Sequence, residues 1–131
     1  MKAAELMCRE FETIHPDAVI EEIAPRLNSE PGPIPVCEND RLIGMISYEE
    51  IAPLLGSRDY RRVRVRDVVA PEILFCLEGT DVSEAAALMR ENQTWRLPVL
   101  SSRSRLIGVL DLDRIPPDSR GDARNGRLAV A

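Results

Sequence analysis

The segment RLIGMISYEEI, residues 41–51, returns with small changes as RLIGVLDLDRI at residues 105–115. The two segments begin 64 positions apart (105 − 41 = 64). Each has the pattern of a short apolar strand that leads into a helix. A segment that recurs at this distance in a chain of 131 residues indicates two copies of one structural unit.

The duplication extends upstream of the repeated segment. Val19 aligns with Val82, an offset of 63 that holds as far as Val36 and Val99. The following turn is one residue longer in the second copy, LSSRS against CEND, which a surface loop tolerates. The whole chain therefore consists mainly of two similar halves.

Each half predicts the element order β-α-β-β-α. Extended pieces at residues 12–15 and 72–78 come first, and a helix follows each of them. In the second helix Asp81 and Glu84 have the spacing of a capping box. Its apolar face consists of Val82, Ala85, Ala86 and Met89. The corresponding face of the first helix consists of Val19, Ile23 and Leu27, and Pro25 predicts a kink.

Two strands and a final helix complete each half. The strands are IPVCE and LIGMIS in the first copy, and LPVLS and LIGVLDL in the second. The first final helix is predicted from Tyr48 to about Gly56, a residue typical of helix ends. The second is cut short by Pro116 and Pro117, and we predict that residues 116–131 are disordered.

Composition excludes several classes of protein. No apolar run approaches the roughly 20 residues of a membrane span, and the N-terminus lacks the pattern of a signal peptide, so we expect a cytoplasmic protein without membrane contact. Three cysteines form neither a disulfide framework nor a CxxC metal motif. A net charge of −5 argues against nucleic acid as the main partner.

The basic residues concentrate between the two copies. The segment SRDYRRVRVRD contains Arg58, Arg61, Arg62, Arg64 and Arg66. It has three interpretations: a solvated linker, a docking surface for an acidic partner, or a wall facing a bound phosphate. A nucleic-acid surface is weakly indicated, because aromatic residues other than Tyr60 are missing.

Catalytic motifs are not found. The sequence has no phosphate-binding loop, HExxH, GxSxG or dinucleotide glycine pattern. Its only histidine, His15, precedes a proline in a predicted loop and cannot fill several catalytic roles. We therefore expect no enzyme activity.

The two βαββα halves, with PV and RLIG in register, resemble a tandem pair of CBS (cystathionine-β-synthase) domains. The resemblance covers about residues 3–115 and implies an α+β fold in which the repeats surround a pseudo-twofold axis. It predicts a first repeat at 1–56, an Arg-rich linker at 57–66, a second repeat at 67–115 and the disordered tail at 116–131.

The family implies a regulatory function without catalysis or a required cofactor. Such pairs commonly bind an adenosine-containing ligand (AMP, ADP, ATP or S-adenosylmethionine) in clefts between the repeats. They commonly form dimers, and we expect a homodimer that acts on an unidentified partner protein. The alternative is a ligand-free module for dimerisation and protein interaction.

The family's ligand signature, Gly-h-x-(Ser/Thr)-x-x-Asp, matches the first copy better than the second. The resemblance assigns six residues to the ligand site: Gly44, Ser47, Glu50, Ile34, Pro35 and Thr13. Glu50 replaces the family's Asp, and Ser47 with Glu50 also has the spacing of a capping box. The degenerate second site consists of Asp111, Arg114, Leu97 and Pro98. Its Arg114 is a cation where an acceptor is expected.

Overall fold

The computed structural model describes residues 1–30, 32–57, 61–69 and 73–120. They belong to two compact units: one spans residues 12–74, and the other joins residues 1–11 to those from 75 onward. Helices and strands alternate in both, which confirms the predicted α+β class. The predicted boundaries describe repeats in the sequence, which are not the same divisions as these two compact units. The repeat boundaries stay a prediction.

The helices in the described residues are short, apart from one long helix in each unit. The α-helices are α1 Ala3–Leu6, α2 Ile20–Ser29, α3 Tyr48–Ile51, α4 Val65–Val68, α5 Val82–Glu91 and α6 Pro117–Arg120. The strands are β1 Ile34–Glu38, β2 Arg41–Ile46, β3 Cys76–Leu77, β4 Arg96–Leu100 and β5 Leu106–Asp111. Two 3-10 helices span Ala52–Leu54 and Leu112–Arg114.

The unit of residues 12–74 is built around the antiparallel hairpin of β1 and β2. Asn39 and Asp40 both have positive φ at its turn, which short polar residues tolerate, and this explains the predicted turn chemistry. Ile14 adds a parallel bridge to Val36. Helix α2 packs Ile20, Ile23 and Leu27 into the core.

The helix register differs by one residue from the sequence alignment. Val19, expected on the buried face of its helix, is the N-cap of α2, and the first helical residue is Ile20. In α5 the first helical residue is Val82, so the two helices correspond at an offset of 62 (82 − 20 = 62). The first strands of the two hairpins keep the offset of 63 and the second strands the offset of 64, because Val36 pairs with Gly44 as Val99 pairs with Gly108.

The second unit contains the sheet β3-β4-β5. Strand β3 is parallel to β4, and β4 is antiparallel to β5. The four apolar residues predicted to share a face of α5 are all buried, which confirms that prediction. Asp81 is the N-cap, as predicted, and its carboxylate accepts the backbone N–H of Ser83 at 2.9 Å.

The N-terminal segment, residues 1–11, belongs to this second unit, although the predicted first repeat includes it. Cys8 and Val109 exchange two backbone hydrogen bonds, of 2.7 and 3.0 Å. The N–H of Ala3 donates to the carbonyl of Thr80. The side chain of Met7 lies against Gly108 of β5. These contacts extend the sheet of the second unit with a segment that is distant in sequence.

The described part of the predicted Arg-rich linker, residues 61–66, packs into the first unit. Val65 is fully buried, and its N–H donates to the carbonyl of Ala18. Val63 accepts the N–H of Ile20. The apolar residues between the arginines explain this packing. Arg58 lies outside the described residues.

The end of the second repeat follows the sequence prediction in part. The expected short final element is the 3-10 helix Leu112–Arg114, which stops before Pro116. The tail predicted to be disordered begins with α6, whose Arg120 donates from Nε to the carbonyl of Ile115 at 2.7 Å. Residues 121–131 lie outside the described residues.

The first final helix is also shorter than predicted. Helix α3 ends at Ile51, and the 3-10 helix Ala52–Leu54 continues it towards Gly56. Pro53 explains the change, because proline has no N–H for the α-helical hydrogen bond.

Candidate functional site

The residues assigned to the first ligand site lie at one end of the sheet in the unit of residues 12–74. The N–H of Ile14 donates to the carbonyl of Pro35, which places Thr13 beside the start of β1. Ile34 pairs with Ile46 at the end of β2, and Ser47 follows directly. Strand pairing therefore brings the predicted residues of the first copy together.

Ser47 and Glu50 interact with each other at the start of α3. One carboxylate oxygen of Glu50 accepts the backbone N–H of Ser47 at 3.1 Å and its hydroxyl at 3.2 Å. The predicted capping box is therefore present. The side chain of Glu50 is exposed, and a carboxylate has about four acceptor sites, so capping and ligand binding are compatible.

The other residues of this site differ in what they expose. Ile34, Pro35 and Gly44 are buried, so they present little more than backbone to a ligand. Thr13 is exposed, and its carbonyl accepts a hydrogen bond from Arg26 at 3.2 Å. The polar side-chain groups that a ligand could contact are therefore the hydroxyls of Thr13 and Ser47 and the carboxylate of Glu50.

The second copy uses the equivalent position differently. Asp111 is at the N-cap position of the 3-10 helix, but its carboxylate makes no cap hydrogen bond and accepts one from Nε of Arg96 at 2.9 Å. The two side chains are only 15% and 23% exposed. Arg96 also lies over the ring of Trp95, with Cζ at 5.2 Å from the ring centroid. The acceptor of the second copy is therefore held in an internal ion pair.

The remaining residues of the degenerate site do not replace that acceptor. Leu97 and Pro98 are buried in β4, where they pair with Leu110 and Val109. Arg114 is exposed at the end of the 3-10 helix. The two copies thus differ in chemistry at the position that would hold a ribose.

Sequence reasoning missed an ion cluster in the first unit. One ligand atom from each of His15, Asp17 and Glu38 lies within 4.8 Å of the others, a spacing that a metal ion could use. Arg66 donates from Nε to Asp17 at 3.1 Å and lies 3.8 Å from Glu38. That hydrogen bond holds the pKa of Asp17 below its usual value.

The hydrogen bonds of His15 indicate that this cluster has a structural role. The N–H of Asp17 donates to Nδ1 of His15 at 3.0 Å, so the neutral imidazole carries its proton on Nε2, which faces Glu38 at 3.5 Å. A metal ion would have to displace Arg66 and change this tautomer. We therefore assign no metal site and regard the cluster as an ionic clamp between the loop before α2, β1 and α4.

The cysteine thiols of the two sheets are protonated at neutral pH. Burial raises the pKa of Cys76 to about 11 and that of Cys37 to about 11. Cys8, Cys37 and Cys76 are all free thiols. This agrees with the absence of a disulfide framework predicted from the sequence.

No helix in the part of the chain that the structure describes is long and apolar enough to cross a membrane.

Comparison with known proteins identifies the repeats. The family model of the CBS domain matches residues 3–57 and 65–115. Inosine-5'-monophosphate dehydrogenase from Methanocaldococcus jannaschii is 28% identical over 137 residues, covering 99% of this chain and 27% of that protein. The chain thus spans about a quarter of the length of this relative.

Two solved structures have the same fold. The cytosolic domain of the Mg²⁺ channel MgtE in complex with ATP has a TM-score of 0.73 at 26% identity, covering 87% of this chain and 47% of that chain. CBSX2 in complex with AMP has a TM-score of 0.73 at 22% identity, covering 98% and 97%. With two matched repeats and these structural neighbours, the chain belongs to the CBS-domain family as a tandem pair.

Proposed function

We propose that the chain is a non-catalytic regulatory module that binds one adenosine-containing ligand and transmits its presence to a partner protein. The observation that carries the proposal is the pair Ser47 and Glu50 at the end of the first-copy sheet. A ribose diol offers two hydroxyl donors, and a carboxylate accepts both. The exposed carboxylate of Glu50 is suited to this role.

Related structures support the class of ligand. The MgtE cytosolic domain was solved with ATP, and CBSX2 was solved with AMP. Both ligands contain adenosine, which makes AMP, ADP, ATP and S-adenosylmethionine the ligands to test. No cofactor is required in this proposal, because the module performs no reaction.

The ligand hypothesis has a direct test in a thermal-shift assay of the full chain with AMP, ADP, ATP and S-adenosylmethionine. A ligand at about 100 times its Kd stabilises the folded state by about 2.7 kcal/mol, which raises Tm measurably. Guanosine monophosphate and inorganic phosphate are the controls for the base and for charge. A shift with adenosine compounds alone supports the proposal.

The alternative is a ligand-free module for dimerisation and protein interaction. The observation that favours it is the ion pair between Asp111 and Arg96, which occupies the carboxylate of one of the two potential ribose sites. Glu50 in place of the family's Asp also favours the ligand-free alternative. If none of the adenosine ligands changes Tm at millimolar concentration, the alternative explains the chain better than the proposal.

A further inference from the structure

A groove in the second unit lies outside the proposed ligand site. It runs between β3 and one face of α5 and has a volume of about 380 Å³. Its apolar lining includes Phe75, Leu77, Ala87 and Leu88. Phe75 and Leu77 are 41% and 47% exposed, and large apolar side chains exposed side by side mark interaction sites.

The polar groups of the groove are acidic. Glu84 and Glu91 both line it, and they are two helical turns apart on the same side of α5. The hydroxyl oxygen of Thr80 accepts a hydrogen bond from the N–H of Leu77 at 3.1 Å. No lysine or arginine is among the described residues that line the groove. The groove therefore favours a cationic group with apolar neighbours and disfavours a phosphate.

The first copy carries an arginine at a position equivalent to one that lines the groove. At the offset of 62 between the two long helices, Arg26 corresponds to Leu88 (88 − 26 = 62), and Thr13 corresponds to Phe75 (75 − 13 = 62). Arg26 donates from Nη2 to the carbonyl of Thr13 at 3.2 Å and pairs with Glu12 at 3.5 Å. The chain's own arginine thus bridges helix and strand there. In the second copy that position is a leucine.

We propose that the groove between β3 and α5 binds an arginine-bearing apolar segment of a partner protein. A guanidinium group would lie between the carboxylates of Glu84 and Glu91, where charge-assisted hydrogen bonds are strong. Neighbouring apolar side chains of the partner would cover Phe75 and Leu77. The groove and the Ser47–Glu50 site lie in different copies, so this proposal stands without the ligand hypothesis.

The test uses a fluorescein-labelled heptapeptide, Ala-Leu-Arg-Leu-Leu-Arg-Ala, titrated with the full chain up to about 1 mM by fluorescence anisotropy. We expect saturable binding by the unchanged chain. The affinity should fall at least tenfold in Glu84→Lys and in Leu88→Arg. The second variant places an arginine where the first copy has Arg26. Glu49→Lys makes the same charge change on the exposed surface of α3 and should leave binding unchanged. Circular dichroism and Tm confirm that each variant is folded.

Several results would overturn the proposal. They are no binding by the unchanged chain, equal binding of a peptide with glutamine in place of arginine, or equal binding by all variants. If deletion of residues 121–131 raises the affinity tenfold, the chain's own tail is the occupant. If Leu88→Arg converts a dimer into a monomer in light scattering, a second copy is the occupant.

Discussion

The residue that follows the repeated RLIG strand bonds differently in the two copies. Ser47 donates to Glu50 within the same helix turn, whereas Asp111 pairs with Arg96 across the strands. The ion pair is mostly buried, and separating such a pair is destabilising because it leaves a poorly solvated charge without its partner. A ligand that needed Asp111 would have to meet that cost, so we expect the second copy to bind a ribose less well than the first.

A second feature at this scale is the raised pKa of the buried thiol of Cys76. With a pKa of about 11, roughly one molecule in a thousand carries the thiolate at pH 8. In the background Cys8→Ser and Cys37→Ser, we expect slow labelling by Ellman's reagent, with a rate that rises about tenfold per pH unit from 7 to 9. A rate that levels off below pH 9 would contradict this prediction.

The same thiol links stability to pH in a defined direction. Its pKa is raised from 9.0 in the unfolded chain to about 11 in the folded one, so folding favours the protonated form. The stabilisation is complete below pH 9 and is lost as pH rises towards 11. Cys76→Ala removes the part of this dependence that comes from Cys76, while Cys37 keeps its own part, and urea unfolding at pH 8 and pH 10 measures the difference. Equal slopes of stability against pH in both proteins would argue against it.

At the scale of elements, periodic and local patterns predicted well. The four buried residues of α5 and its cap Asp81 follow from apolar spacing and cap chemistry, which act within a few residues. The two hairpins follow for the same reason, whereas the described parts of the extended pieces predicted at residues 12–15 and 72–78 form only the bridge at Ile14 and the two-residue strand β3. The predicted alignment of the two long helices was wrong by one residue. Val19 and Val82 are both apolar, so the apolar pattern does not show that Val19 is an N-cap whereas Val82 is the first residue of its helix.

Contacts between distant segments could not be predicted. The pairing of Cys8 with Val109 joins residues about a hundred positions apart, and neither residue carries a local signal for it. The ionic clamp of Asp17, Glu38 and Arg66 likewise joins three separate segments. The paired Ser47 and Glu50 were predictable because they lie three positions apart. Their role towards a ligand stays a prediction.

The contact between the N-terminal segment and β5 leads to a prediction at this scale. A Cβ on Gly108 would overlap with Sδ of Met7 and lie 3.0 Å from its Cβ. Gly108→Ala must therefore displace the side chain of Met7, and we expect a loss of about 1–3 kcal/mol in the free energy of unfolding. Urea unfolding followed by circular dichroism measures it.

Two variants make that experiment specific. Gly79→Ala is the matched control, because no atom lies within 4 Å of a Cβ at that glycine. Met7→Ala removes the clashing side-chain atoms, so the double variant Met7→Ala and Gly108→Ala should lose less than the sum of the single variants. Additive losses would show that the Met7 side chain is not the obstacle.

For the whole molecule we propose a homodimer, the assembly that the family implies. Leu54 is an apolar residue at the end of the first repeat that is only partly buried in a single chain. Static light scattering of the full chain should give twice the mass of 14.7 kDa, and Leu54→Glu should move the mass towards the monomer. A monomer across micromolar concentrations in the unchanged chain would refute the proposal.

The difference between the two copies predicts asymmetric binding in the whole molecule. Glu50 offers an exposed carboxylate, whereas Asp111 is held by Arg96 and Arg114 is a cation. We therefore expect isothermal titration calorimetry to give at most one adenosine-type ligand per chain. Glu50→Ala should weaken it at least tenfold, about 1.4 kcal/mol, because the diol loses its acceptor. Arg114→Ala is the control and should change little. Two equal sites per chain, or a site lost in Arg114→Ala and kept in Glu50→Ala, would place the ligand elsewhere.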